Sequence, residues 1–505
     1  MRVWIRRIAL TVLGGLFSTW AMATVAVAGD RPQWGEAYSR NMVSDETGLP
    51  DAFDPTGGVN VKWSVPLGTA TYSTPVIAGG KVLIGTNNDE PRDPRHQGDR
   101  GVLLCLDEKD GRFCWQLVVP KLSGARVDAG QIGIVSPATV EGHRVYIVSN
   151  RNEVMCLDLK DMAKGNNGPN RDERRHMSPD PAQPMPVSST DADILWIFDI
   201  NAALGVHQHD AAHSSILVHG QYLYVCTSNG VDNSHSVILS PNAPSLIVLD
   251  KTTGRLVAQD RERMAPRTIH CTWSSPALGV VGGRPLIFFG GGDGVCYAFD
   301  VPGPTALAAQ PIALQRVWRF DCDPAAPKGD IHRWQENRKE GPSNITGMPV
   351  FYQGRVYVTA GGDYWHGKHQ AWLKCIDAGR TGDITHGGEV WSFALKRHCL
   401  STPSICNGLV YIVDCGPSVH CLDAKTGQEY WSHPIKGDVW GSTLVADGKV
   451  YVGTQKSKFY VFAAGKEKRL ISTIELDSPI NSTPVAANGV LYVATMQRLY
   501  AIAKR

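Results

Sequence analysis

The sequence predicts an all-β fold, a single eight-bladed β-propeller of four-stranded antiparallel blades. A phrase such as Ser73-Thr74-Pro75 recurs eight times, and seven copies have a glycine five residues after the proline position. A repeat that cannot bury its own apolar face must stack on copies of itself, so the repetition indicates the architecture. The proline positions and their equivalents are Pro75, Pro137, Ser215, Pro276, Pro349, Pro403, Thr443 and Pro484.

Each repeat follows the order strand, tight turn, strand, connection, strand, tight turn, strand. Asn407-Gly408 and Asn488-Gly489 are strong hairpin signals, because Asn and Gly tolerate the positive φ that two-residue hairpins need. The third strand ends in an aspartate such as Asp423, and the fourth carries a tryptophan such as Trp431. We expect this large aromatic side chain to pack between adjacent blades.

The two ends of the chain complete the ring. The eighth repeat ends near Ala503 with only three strands, and residues 61–65 form a strand around Trp63 that no repeat precedes. Joining them removes the sheet edges. The sequence therefore predicts one propeller over residues 60–505, closed by the N-terminal strand around Trp63. Residues 29–59, rich in Gly, Pro and Asp, are predicted to be an extended arm lying on it.

The first residues predict export. A basic start, an apolar stretch over residues 8–25 and small residues up to Ala28 are typical of a secretory signal peptide over residues 1–28. The alternative is an uncleaved N-terminal anchor. We expect a periplasmic or extracellular protein without a membrane span after cleavage. The net charge of +2 and the lack of a basic block argue against a nucleic-acid partner.

Twelve cysteines in an exported protein raise the question of disulfides. Cysteines two residues before the strand-ending aspartate recur in four repeats and look like small buried apolar residues. Two pairs, Cys105–Cys114 and Cys399–Cys415, could instead form bridges across hairpins. Both alternatives stay open for these pairs.

Uneven spacing between repeats locates the added sequence on one face. Insertions over residues 87–100, 229–244 and 361–371 join second to third strands, and those over 121–133, 260–272 and 322–345 join blades. Both kinds of connection emerge on the same face of a propeller, which we therefore predict to be the binding face. The insertion over residues 160–193 is predicted to project from the opposite face and to be mobile.

The sequence Cys421-Leu-Asp-Ala-Lys-Thr-Gly427 followed by Trp431 resembles the pyrroloquinoline-quinone (PQQ) repeat, as does Leu249-Asp-Lys-Thr-Thr-Gly254. The resemblance implies the propeller fold over the chain after residue 60. It implies either of two roles, since the superfamily includes PQQ- and calcium-dependent dehydrogenases and the cofactor-free assembly lipoprotein BamB. The adjacent Cys pair of the dehydrogenases, the Cys-x-x-Cys-His of their haem-bearing members and a BamB-like lipid-modified Cys are not found here. The family's calcium ligands and catalytic Asp cannot be assigned to positions.

Two polar groups on the predicted binding face could carry chemistry. His207, His209, Asp210 and His213 precede the inner strand of blade three, and their spacing could bring two imidazoles to one zinc or copper ion. No Cys or carboxylate completes a recognisable signature, so we expect a hydrogen-bonded rim and no metal. A similar cluster in blade five has the same alternatives, and its members are Asp363, Trp365, His366 and His369.

Aromatic residues lie where inner strands begin. His270 and Trp273 precede one inner strand and Trp440 precedes another, which places them near the mouth of the channel. A rigid Trp face beside His could stack on a quinone, a sugar or a peptide side chain. The alternative is a Trp packed under a loop.

These observations favour an exported, non-catalytic, monomeric propeller without a cofactor. Its looped face would bind an envelope protein, a glycan or a small ligand. The competing hypothesis is a PQQ- and calcium-dependent quinoprotein oxidoreductase acting on an alcohol or a sugar, in which calcium polarises the quinone. The missing Cys pair and haem motif favour binding, whereas the polar, aromatic-rich face is compatible with an enzyme.

Overall fold

The computed structural model describes residues 29–121, 129–160, 162, 165–166, 168–303 and 310–504. The predicted signal peptide, residues 1–28, lies outside them. The strands form eight separate sheets, each with four antiparallel strands, and these are the eight blades of a propeller. The predicted fold class is thus confirmed. No helix in the described part of the chain is long and apolar enough to cross a membrane.

The strands are numbered along the chain. The first eighteen are β1 (Val43–Ser44), β2 (Val61–Pro66), β3 (Val76–Ala78), β4 (Lys81–Asn87), β5 (Arg100–Asp107), β6 (Phe113–Pro120), β7 (Thr139–Glu141), β8 (Arg144–Val148), β9 (Glu153–Asp158), β10 (Ile194–Asp199), β11 (Leu217–His219), β12 (Tyr222–Cys226), β13 (Leu246–Asp250), β14 (Leu256–Gln259), β15 (Ala277–Val281), β16 (Arg284–Gly290), β17 (Val295–Asp300) and β18 (Ile312–Ala313). The others are β19 (Arg316–Asp321), β20 (Val350–Tyr352), β21 (Arg355–Gly361), β22 (Ala371–Asp377), β23 (Gly382–Asp383), β24 (Glu389–Leu395), β25 (Ser404–Cys406), β26 (Leu409–Asp414), β27 (Ser418–Asp423), β28 (Glu429–Pro434), β29 (Leu444–Ala446), β30 (Lys449–Gly453), β31 (Lys458–Ala463), β32 (Leu470–Glu475), β33 (Val485–Ala487), β34 (Val490–Ala494) and β35 (Arg498–Ile502).

Blades one to eight consist of β3–β6, β7–β10, β11–β14, β15–β17 with β19, β20–β22 with β24, β25–β28, β29–β32, and β33–β35 with β2. Three short strands, β1, β18 and β23, add in parallel to blades seven, three and four. The described helical segments are brief: α1 (Glu173–His176), α2 (Ile200–Leu204) and two 3₁₀ turns at Ala265–Arg267 and Ile331–Trp334.

The ring closes as the sequence predicts. Strand β2 pairs antiparallel with β35, and Trp63 lies opposite Ala501. The last blade is therefore built from both ends of the propeller, and its formation requires the whole ring to be in place.

The repeated tryptophan connects neighbouring blades. The indole of Trp63 donates a hydrogen bond to the Glu108 carbonyl at 3.0 Å, and Trp391 donates to the Ala424 carbonyl at 3.1 Å. Each acceptor follows the aspartate that ends the third strand of the next blade. Gly427 has a φ of 74°, and a Cβ there would lie 2.6 Å from the Trp391 ring. Glycine is needed in the Lys-Thr-Gly turn for two reasons: it adopts a positive φ without strain, and it has no Cβ to clash with the indole ring.

The N-terminal arm crosses the ring at the ends of the inner strands and contacts every blade. Arg40 is fully buried, and its guanidinium donates to the carbonyl oxygens of Ser215 and Pro276 at 2.8 and 2.9 Å. Burial lowers the Arg40 pKa to about 9. The remaining contacts are Arg31 with Ile77, Pro32 with Val140, Ser39 with Phe351, Asn41 with Ile405, Met42 with Val445 and Glu46 with Asn488. The arm therefore covers one end of the channel.

The insertion over residues 160–193 does not project away from the opposite face. Asp191 forms a parallel β-bridge with Gln116 on the outer strand of blade one, and the Arg95 guanidinium contacts Asp191 at 3.3 Å. His176 Nε2 lies 3.0 Å from the carboxylate of Glu153, at the start of β9. These contacts fold the segment back along the side of the ring toward the looped face. Its mobility stays a prediction.

Of the two alternatives left open for these pairs, the bridges do not form, since Cys114, Cys399 and Cys415 are free thiols. A β-bulge places Trp115 opposite Cys105 in the strand register, although the Cys114 thiol stays within interacting distance of the Cys105 thiol. The thiols of Cys399 and Cys415 point to different carbonyls, Val413 at 3.2 Å and Val439 at 3.7 Å.

Candidate functional site

The nine residues predicted from the sequence lie together at the channel mouth. They come from connections that precede β11, β15 and β29 and from the loop between β21 and β22, all on the looped face. Ring contacts link Trp273 to Trp365 at 5.8 Å and Trp365 to Trp440 at 5.5 Å. The full set is His209, Asp210, His213, His270, Trp273, Asp363, Trp365, His366 and Trp440. Their assignment to ligand binding stays a prediction, but their common location is a structural fact.

An aromatic cavity of about 340 Å³ lies on the ring axis beside this group. Trp273, Trp365 and Trp440 line it together with Tyr72, whose ring stacks on Trp440 at 5.9 Å. Trp34 of the arm also lines the cavity. Because the arm covers the other end of the channel, the cavity is a pocket open toward the looped face.

His213 holds part of this wall in place. Its Nδ1 donates to the Trp273 carbonyl at 3.0 Å, and its ring contacts Trp34 edge-on at 5.7 Å. Burial lowers the His213 pKa, although the bond to the Trp273 carbonyl opposes that shift. We therefore assign His213 to supporting the cavity wall in its neutral form.

Four imidazoles cluster next to the cavity. The ring of His209 lies 4.7 Å from those of both His235 and His270, and His366 lies 4.4 Å from His235. Burial lowers the pKa of His209 to about 4, and it also lowers the pKa of His366. These two imidazoles are thus neutral at neutral pH.

Asp363 orients His270. Its carboxylate accepts from His270 Nδ1 at 3.2 Å and from the Asn344 amide at 2.9 Å. Its other oxygen accepts the backbone N–H groups of Trp365 and His366, both at 2.9 Å. Burial by itself raises the Asp363 pKa, but His270 and these N–H groups outweigh it and hold the pKa at about 2. The ionised carboxylate holds a proton on His270 Nδ1 and orients the ring so that Nε2 faces the cluster.

Sequence reasoning missed three residues of this site. His235 lies within the insertion over residues 229–244, which was identified as decoration of the binding face, and its φ of 56° marks a tight turn there. Tyr72 and Trp34 carry no local signal, because their positions depend on the path of the arm and the closure of the ring. His369 is exposed and contacts the His398 ring at 5.2 Å. His207 and His213 are not part of the group whose ligand atoms converge.

The cavity lining does not fit PQQ with calcium. PQQ carries three carboxylates, which require cationic partners, and no Lys or Arg is among the described lining residues. Calcium prefers an all-oxygen ligand set. The carboxylate on this wall, Asp210, is surrounded by imidazoles instead. The expectation that no cofactor binds stays a prediction, which titration with PQQ and Ca²⁺ can test.

Comparisons with known proteins agree with the fold. A family model described as outer membrane protein assembly factor BamB matches residues 52–216 and 369–471. BamB from Yersinia pestis is 27% identical over 139 residues, which are 25% of this chain and 32% of that protein, so the match spans about a third of the relative.

Two solved structures share the architecture at low identity. A europium-containing methanol dehydrogenase has a TM-score of 0.59 at 12% identity, covering 93% of this chain and 90% of that one. A quinohemoprotein alcohol dehydrogenase from Pseudomonas putida has a TM-score of 0.55 at 12% identity, covering 94% and 80%. Identity this low shows the fold alone. Since the family model covers more than half of the residues, the chain belongs to the PQQ-repeat propeller family described as outer membrane protein assembly factor BamB.

Proposed function

We propose that this protein is an exported binding module that holds an envelope protein partner at its looped face. The observation that carries the proposal is the aromatic cavity at the channel mouth, lined by Trp273, Trp365 and Trp440. Rigid indoles offer a large apolar contact area at little cost in conformational entropy. The family's description as an assembly factor supports a protein as the partner rather than a glycan or a small ligand.

The cavity suits an apolar or aromatic side chain presented by an extended segment of the partner. Its described lining contains a single carboxylate, Asp210, and no Lys or Arg, so a strongly charged ligand would lose hydration without gaining ionic partners. The surrounding insertions supply the polar rim. Trp365, with 37% of its surface exposed, stands where an incoming chain would make first contact.

Site-specific photocrosslinking in the cell that makes the protein tests this function. A photoreactive phenylalanine analogue at position 365 should give adducts of defined mass with a protein partner. The matched control is position 280, whose Val280 side chain is 57% exposed toward the far end of β15. Trp440→Ala should abolish the adducts at position 365, while Trp372→Ala, which alters a Trp outside the cavity lining, should not. Equal adducts at both positions, or none, would contradict the proposal.

Export is part of the same proposal. The signal over residues 1–28 predicts that the mature chain begins at Gly29. N-terminal sequencing of protein recovered from the envelope or the medium checks this. Retention of Met1 on membrane-bound protein would support the alternative of an uncleaved anchor.

No specific observation favours the quinoprotein hypothesis over binding. Its test is direct: the purified protein is mixed with PQQ and Ca²⁺ and assayed for retained cofactor absorbance and for dye reduction with alcohols and sugars. Stoichiometric retention with turnover would overturn a binding-only role.

A further inference from the structure

Four potential metal ligands converge beside the aromatic cavity. One ligand atom from each of His209, Asp210, His235 and His270 lies within 4.8 Å of all the others. Atoms bound to a common tetrahedral ion at 2.0–2.1 Å lie about 3.3 Å apart. His209 Nε2 is already 3.4 Å from Asp210 Oδ2, and His270 Nε2 is 3.9 Å from the same oxygen. Small side-chain movements would complete a coordination sphere.

The two central imidazoles are buried without satisfying hydrogen bonds. His209 and His270 are 0% and 1% exposed. Among the described residues, His270 Nε2 has no hydrogen-bond partner, and neither ring nitrogen of His209 makes a well-formed hydrogen bond. The polar neighbours of His209 are the Asp210 carboxylate and the Val231 backbone. Buried polar atoms normally have bonding partners. Unpartnered imidazole nitrogens that converge with a carboxylate oxygen therefore indicate that a further partner, such as a metal ion, binds between them.

The surroundings of the cluster fit a bound cation. Within the described chain, the ion-pair contacts of Asp210 are these two imidazoles, and no Lys or Arg approaches its carboxylate within 4.0 Å. His270 is also held by Asp363 through Nδ1 at 3.2 Å. A carboxylate behind a ligating imidazole is the usual arrangement at protein metal sites, because it fixes the ring and raises its basicity.

We propose that His209, Asp210, His235 and His270 form a binding site for a divalent transition metal, with zinc as the ion that fits best. Three imidazole nitrogens and one carboxylate oxygen suit Zn²⁺ and Cu²⁺, whereas Mg²⁺ and Ca²⁺ require oxygen ligands. His366, whose ring is 4.8 Å from that of His270, is the nearest further imidazole. This goes beyond the proposed function and does not rest on it. Because Asp210 belongs to both cluster and cavity, metal binding would change the charge on the cavity wall.

Metal content measures the site directly. The untagged mature protein is stripped with a chelator, incubated with ZnCl₂, dialysed and analysed for metal per chain. We expect one equivalent of Zn²⁺ that excess Ca²⁺ and Mg²⁺ do not displace. Substitution with Co²⁺ should give the intense visible bands of a four-coordinate ion.

Two variants separate ligation from folding. His235 and Asp210 have φ values of 56° and 53°, which Asn tolerates well, so His235→Asn and Asp210→Asn should preserve the backbone. Each should weaken Zn²⁺ binding by at least about 10-fold in competition with a chromophoric chelator. His369→Asn, which alters an exposed imidazole outside the cluster, is the matched control and should bind like the unmodified protein. Thermal melting of the metal-free variants checks folding.

Tryptophan fluorescence reports the location of the ion. The His270 ring lies 4.9 Å from Trp273 and 5.3 Å from Trp365, so bound Co²⁺ or Cu²⁺ should quench both indoles. Quenching should saturate at one equivalent and be largely lost in the Trp273→Phe/Trp365→Phe variant. Failure of the unmodified protein to retain zinc would overturn the proposal. Full retention by both folded variants, His235→Asn and Asp210→Asn, would overturn it as well.

Discussion

Two groups of at least three potential metal ligands converge in the described part of the chain, and they differ in what already occupies them. The axial cluster, His209, Asp210, His235 and His270, lies at the channel mouth; the outer cluster, Asp93, His96 and Asp191, lies at the side of the ring. In the outer cluster the Arg95 guanidinium contacts Asp93 at 2.5 Å and Asp191 at 3.3 Å. No described Lys or Arg fills the equivalent place in the axial cluster.

The types of potential ligand alone do not define a metal site. A resident guanidinium compensates one of the two negative charges of the outer carboxylates and ties together two insertions. Both ring nitrogens of the buried His96 are without a hydrogen-bond partner among the described residues, as in the axial cluster, so the resident cation is the feature that distinguishes the outer cluster. The axial cluster has convergent nitrogens, one carboxylate and a positioning Asp363, and it faces a cavity. If the resident cation accounts for the difference, its removal should allow the outer cluster to bind a metal.

The largest effect should appear beside the outer cluster on acidification. Burial by itself raises the Glu153 pKa, but His176, Arg151 and Ser149 outweigh it and hold the pKa at about 2, below its ordinary value of 4.5. The stabilisation is therefore present above pH 4.5 and is lost as the pH falls toward 2, amounting to about 3 kcal/mol. Denaturant unfolding between pH 6 and 2.5 measures it. In Glu153→Gln, the free energy of unfolding should depend less on pH over this range. An unchanged pH dependence in that variant would contradict the assignment of this stabilisation to Glu153.

Asp363→Asn tests the positioning of the axial cluster. The amide keeps an acceptor for the backbone N–H groups but removes the negative charge behind His270. Zinc affinity should fall about 10- to 100-fold. The metal-free protein should also lose stability, because the amide replaces one acceptor oxygen of a buried group that accepts four hydrogen bonds. Chelator competition together with the Co²⁺ spectrum measures the effect, since a merely structural role would leave the spectrum unmoved. An unchanged zinc affinity would show that His270 does not ligate the ion, or that its ring ligates the ion without help from the Asp363 carboxylate.

Arg95→Gln should produce the smallest effect and test the comparison itself. Removing the guanidinium leaves Asp93 and the buried Asp191 facing each other, which should cost roughly 1–2 kcal/mol at this partly exposed site. Zinc should then restore part of the stability and bind as a second, weaker equivalent. Arg112→Gln, at a mostly exposed arginine of blade one, is the control. If the Arg95→Gln variant does not bind zinc at the outer cluster, the Arg95 guanidinium is not the reason why the two clusters differ in metal binding.

Local sequence patterns predicted the turns and strand ends of the blades because each of these features depends on residues that are close together in the chain. The Asn407-Gly408 turn and the Lys-Thr-Gly turn at Gly427 encode positive φ values, which the structure shows at 50°, 75° and 74°. The strand-ending aspartates and the blade tryptophans follow the same repeat. The Cys105–Cys114 pair shows the limit, since the residue count placed the two cysteines opposite each other, whereas a bulge places Trp115 opposite Cys105.

The amino-acid sequence by itself determined the eight-bladed ring and the face on which the nine candidate residues lie, because repeats and turns act over short distances. Counting strands along the repeats also predicted the closure through Trp63, which lies opposite Ala501. Only the tertiary structure decided how the candidate residues meet. It brought His235 from a long insertion to His209 and His270, placed Trp34 of the arm in the wall of the cavity and set Arg95 between Asp93 and Asp191. These contacts join residues far apart in the chain, and they depend on how the blades and the arm pack.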